Sequence, residues 1–152
     1  MRTRNPTRFL FPALLIVLCG APAGARVRSD IQVEVWEIRA TKSNNIISPE
    51  LRPIIGQLKR LGQYTGFTLV GKHSKRVPLH ETFVAKLTAQ YRVRVTPTNH
   101  DGRRMQMKVE IKRLIKKKIN TIVTMKAGEM QLLGGWTYPR STDAMIIGIR
   151  AR

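Results

Sequence analysis

Cysteine is almost missing from this chain of 152 residues: Cys19 is the only one, and it lies in an apolar N-terminal run. A chain cut beyond that run has no thiol, hence no disulfide, thiolate nucleophile or cysteine-ligated metal. Acids are scarce, with nine Asp and Glu against 28 Lys and Arg, for a net charge of +19. Histidine occurs three times, as His73, His80 and His100, and no pair has the helical spacing of metal ligands. No G-x-S-x-G setting surrounds Ser29, Ser43, Ser48, Ser74 or Ser141. Glu34 and Glu37 would fall on opposite faces of a strand, so they make no acid–base pair. The chain reads as non-enzymatic, with no cofactor and no metal site.

Positive charge is abundant. Three of the basic residues (Arg2, Arg4 and Arg8) and none of the acids lie in the first 25 positions, which leaves +16 on the remainder. Such an excess argues for an anionic partner: nucleic acid, acidic glycan, anionic lipid or an acidic protein surface. A solvated arginine-rich surface is the plainer account. The three arginines precede the apolar stretch Phe9 to Gly20, and Ala23-Gly24-Ala25 supplies small residues before a cut. That is the pattern of a secretory signal peptide over 1–25, cleaved before Arg26, with a single β-rich domain over 26–152; an uncleaved N-terminal anchor is the alternative. Leu18 stands where a lipobox needs a small residue, so lipidation of Cys19 is not expected. The expected location is periplasmic or secreted, with no transmembrane span in the mature chain.

The organising stretch is Thr82 to Arg113. Every odd position from Phe83 to Val95 is apolar, and the even positions are mostly polar or charged. The alternation resumes at Met105, Met107, Val109 and Ile111 beyond the turn cluster Asn99-His100-Asp101-Gly102. A period of two predicts strands with one buried face, here one long antiparallel hairpin. A three-residue loop with Gly102 left-handed would set Val95 against Met107 and Val93 against Val109. A slip of two residues would pair Arg94 with Glu110 and Arg92 with Lys112. His100 and Asp101 read as turn residues.

Elsewhere the pattern predicts strands at Ile31–Ala40, with a bulge or two covered faces, and at Gly66–Lys72, Ile119–Met125, Met130–Trp136 and Ala144–Ala151. Lys72–Arg76 reads as a basic connection, and Gly134-Gly135 as a bulge or close strand approach. Ser48–Gly62 predicts one helix, capped by Ser48 with Pro49 in its first turn. Leu51, Ile54, Ile55, Leu58 and Leu61 would form the stripe that packs on the sheet. About eight strands and one packed helix give a mainly β (α+β) fold, a β-sandwich or strongly curved antiparallel sheet. A C-terminal edge strand would be open to a second chain.

The candidate site is a basic face for a polyanion or partner. It comprises Arg92, Arg94, Lys108 and Lys112 on the hairpin, Arg103 and Arg104 at its turn, and Arg113, Lys116, Lys117 and Lys118 at the following loop. Phe83 and Tyr91 fall on the apolar face, which argues against base stacking. Further along, Ile119-Asn120-Thr121-Ile122-Val123-Thr124, Ala127 to Gly135 and Asp143 to Ile149 resemble the strand–turn–strand segment of the bacterial secretins. That family forms outer-membrane channels of secretion systems and type IV pili. The chain is far shorter than a secretin and lacks the expected Val-Pro-containing segment. The resemblance therefore implies a small exported accessory β-domain rather than a channel. The expected function is an exported, non-catalytic envelope protein that binds a periplasmic or outer-membrane assembly, or an acidic envelope polymer, through its basic hairpin. The alternative is a nucleic-acid-binding module acting outside the cytoplasm.

Overall fold

In the computed structural model, which describes residues 30–113, 118–138 and 140–152, β1 (Ile31–Thr41) is buried on both faces. Ile31, Val33 and Val35 enter one hydrophobic core. Trp36, Ile38 and Ala40 enter another. The first core fills the space between two antiparallel sheets; the second lies under the helix. The expected signal peptide, residues 1–25, falls outside the described residues.

The first sheet also contains β2 (Gly66–Val77), β7 (Met130–Thr137) and β8 (Ala144–Ala151), in the order β2-β1-β8-β7. The second sheet contains β3 (Phe83–Lys86), β4 (Tyr91–His100), β5 (Arg104–Arg113) and β6 (Lys118–Lys126), in sequence order. The eight strands and the sandwich-like arrangement agree with the sequence reading. Chain order makes β2 and β3 neighbours at one side of the sandwich and β6 and β7 neighbours at the other. β8 is internal, hydrogen-bonded to both β1 and β7, so the expected C-terminal edge strand does not exist.

Several boundaries differ from expectation. The basic segment Lys72–Arg76 is part of β2, paired residue for residue with β1 from Ile31↔Val77 to Glu37↔Gly71. Its charges hide a strand because neither face of that half carries an apolar alternation. Of the two expectations for β1, that of two covered faces holds; the bulge lies in β2, whose extra residue Val70 falls opposite Glu37 and Ile38. The helix is shorter than its apolar stripe suggests. Pro49–Ile54 is a 3-10 turn with Pro53 inside it, and α1 is only Ile55–Lys59. Pro53 has no N–H to give, and its ring crowds the preceding turn. Leu51, Ile54 and Leu58 are buried against the first sheet, whereas Leu61 lies past the helix end and is exposed. Ser48 makes no cap; its hydroxyl accepts the β2 N–H of Leu69 at 3.0 Å.

The long odd-position run is two strands, not one. After Lys86 the chain makes a 3-10 turn over Thr88–Gln90, with Gln90 at φ 66°, and folds back. Phe83 then opposes Val95, and Ala85 opposes Val93. The reversal pairs odd with odd, so Phe83, Ala85, Leu87, Tyr91, Val93 and Val95 all remain on the core side. Between β4 and β5 the slipped register holds, with Arg94↔Glu110 and Arg92↔Lys112. Val95 therefore opposes Val109 rather than Met107. A bulge between Pro97 and Asn99 shifts the register by one before the turn, where Gly102 has φ 87°.

Candidate polyanion-binding face

The inner face of the second sheet is apolar and buried, so the even-numbered residues of β3, of β4 before its bulge and of β5 point outward. Registers across all four strands define what lies side by side there. Lys86 opposes Arg92, Arg92 opposes Lys112, and Lys112 opposes Lys118. One end of the sheet therefore carries a transverse row of four cationic positions, one per strand. Three interstrand steps make the row about 14 Å long. Lys86, Arg92 and Lys112 are exposed. Among the described residues none of the three takes part in an ion pair. Like charges in adjacent cross-strand positions repel one another. A bound anion relieves that repulsion.

Lys86 is the residue that sequence reasoning missed. On a continuous strand it would stand six residues from Arg92; the turn over Thr88–Gln90 brings it directly opposite. No glycine, asparagine or proline marks that turn. The signal lies outside the local sequence, in the Glu37 side chain of β1. Its carboxylate accepts the Thr88 N–H at 2.9 Å and the Thr88 hydroxyl. Tyr138 donates its phenol to the same carboxylate at 2.9 Å. Burial, and then the neighbouring Glu37 carboxylate, push the Tyr138 phenol well above its usual range. Glu37 is 1% exposed, so the turn that positions Lys86 is pinned from the opposite sheet.

The remaining expected site residues divide. Arg94 is exposed one row further along, opposite Glu110. Lys108 lies 3.3 Å from the Glu110 carboxylate, so its charge is partly spent on the sheet itself. Arg113 is set opposite Tyr91, with its guanidinium 5.7 Å from that ring's centre. Arg103 and Arg104 belong to the far end of the sheet: from Arg92 to His100 is eight residues of strand, about 26 Å. There both backbone N–H groups bond the Asp101 carboxylate, at 2.9 and 2.6 Å, and these bonds hold its pKa below the usual value. The ten residues are thus not one site. Lys116, Lys117 and the Lys118 side chain fall outside the described residues.

The first sheet holds cations too, but around an internal acid. Glu34 is 2% exposed. Its carboxylate accepts from Arg150 at 2.7 Å and Arg152 at 3.3 Å, with Lys72 3.7 Å away. The Trp36 indole N–H donates to it at 3.1 Å. Burial works to raise its pKa; the Arg150 and Trp36 hydrogen bonds and the charges of Arg150 and Lys72 outweigh burial and lower it. The Trp36 ring is flanked by Lys72 at 5.1 Å and Arg150 at 5.3 Å.

The histidines lie apart: His73 in β2, His80 in the β2–β3 turn and His100 at the end of β4. Among the described residues no helix is long and apolar enough to cross a membrane. No protein-family model, curated protein or solved structure matches this chain.

Proposed function

We propose that this protein is an exported, non-catalytic envelope module whose exposed second sheet binds an acidic polymer. The observation that carries the reading is the row Lys86, Arg92, Lys112 and Lys118, held at fixed spacing across four hydrogen-bonded strands. Rigid spacing reduces the ordering cost of meeting a chain of regularly placed anions. The face has no exposed aromatic to stack on a base, since Phe83 and Tyr91 are buried in the core. That favours a sugar-acid or phosphate polymer over single-stranded nucleic acid. The N-terminal pattern and the secretin-like stretch agree in pointing to the envelope.

The test is binding of lipopolysaccharide, polygalacturonate and a single-stranded oligonucleotide across a salt series. Replacing Lys86, Arg92 and Lys112 together by alanine should weaken acidic-polymer binding and reduce the log–log salt slope by about 2–3. An unchanged slope would remove the row from the account. Consistently tighter binding of the oligonucleotide at matched salt would favour a nucleic-acid module instead. Cell fractionation with N-terminal sequencing checks export, which requires a mature product starting near Arg26.

A further inference from the structure

Four strands end the two sheets, and three of their edges are closed to another strand. β3 is only four residues long. β7 is interrupted between Leu133 and Trp136 by Gly134-Gly135. The first half of β2 is covered by the segment before Ser48: Phe67 N–H donates to Ile46 at 2.8 Å, and Ser48 N–H donates to Phe67 at 2.9 Å. Beyond the Val70 bulge, β2 carries Lys72, Lys75 and Arg76. Short length, bulges, cover and edge lysines are the devices that prevent edge-to-edge pairing.

β6 carries lysines only at its two ends, Lys118 and Lys126. It pairs with β5 without a register shift from Lys112↔Lys118 to Arg104↔Lys126. Its interior, Ile119-Asn120-Thr121-Ile122-Val123-Thr124-Met125, contains no charge, proline or glycine. Among the described residues nothing pairs with its other side. Ile122 projects from the outer face at 67% exposure. On its paired side, towards β5, Ile122 borders a groove of about 340 Å³ lined also by Thr98, Lys108, Asn120 and Thr121. An open backbone edge is what strand addition uses: main-chain bonds give affinity, and contacts with outward side chains such as Ile122 give selectivity.

Charge identifies the occupant. A second copy of this chain, paired antiparallel about Ile122, would set Lys118 against Lys126 at both ends. Such like-charge pairs destabilise, on molecules that each carry +16 beyond residue 25. An extended segment with acids flanking a β-branched stretch meets the two lysines favourably. We infer that the free edge of β6 is a strand-addition site for an extended segment of another protein, β-branched in its middle and acidic at both ends. This site meets the cationic row at Lys118, but its open backbone edge along 119–125 does not depend on that row.

The test uses the whole mature chain and a nine-residue peptide of alternating valine and threonine closed by glutamate at each end. Amide exchange read residue by residue should show new protection along 119–125. A lysine-ended version of the peptide should bind about fivefold more weakly, the worth of two exposed ion pairs. Ile122→Lys, on an exposed side chain, should abolish binding and leave the circular dichroism and unfolding midpoint unchanged; Ile122→Thr should retain binding. Protection elsewhere, equal binding of both peptides, or no binding at millimolar peptide would overturn the proposal. So would concentration-dependent dimerisation lost in Ile122→Lys, which would assign the edge to a second copy.

Discussion

Glu37 and Glu34 are three residues apart on β1, and the pleat sends them into opposite layers. Glu37 satisfies three donors between the sheets. Removing its carboxylate leaves the Thr88 N–H and the Tyr138 phenol without their acceptor. Glu37→Ala should therefore cost about 2–3 kcal/mol, read by urea unfolding. Tyr138→Phe removes one donor and should cost about 1 kcal/mol. Glu34 carries a pH signature instead. Its folded pKa lies below the ordinary 4.5. Its contribution to stability is complete above that value and is lost as pH falls through the lowered one. Unfolding midpoints measured from pH 6 down to 2 should thus drop less steeply for Glu34→Gln than for the parent. The sequence places these two acids on opposite faces correctly. It does not show that both are buried, because their partners, Thr88, Tyr138 and Arg150, come from distant parts of the chain.

At the scale of elements, faces were more legible than ends. Alternation identifies the buried residues of β3, β4 and β5, since periodicity reports which side meets apolar neighbours. It says nothing about where a strand reverses when the reversal conserves parity, as the turn over Thr88–Gln90 does. That single turn separates the expected basic hairpin from the observed four-strand row, and it is why Lys86 escaped notice. The basic half of β2 escaped for a related reason: its pairing lies in backbone hydrogen bonds to β1, which composition does not encode. Pro53 was visible in the helix pattern, and its missing N–H explains the shortened α1. The strap before Ser48 offers an element-scale prediction. A Cβ on Gly66 would come within 2.9 Å of the Asn44 backbone oxygen. Gly66→Ala should cost about 1–3 kcal/mol and increase amide exchange at Phe67 and Ser48, whose bonds hold the strap to β2.

For the whole molecule, the telling feature is that β1 and β8 are neighbours. Val33 pairs with Ala151, and Gln32 and Arg152 exchange both backbone hydrogen bonds, at 2.7 and 3.0 Å. The middle of the first sheet is thus built from the beginning and the end of the domain. During synthesis β1 has no β8 to pair with until the chain has been made through Ala151, and both hydrophobic cores lack their β8 residues until then. Contacts this remote in sequence form late and slowly. Until β8 arrives, β1 keeps one side unpaired and neither core has its full set of residues.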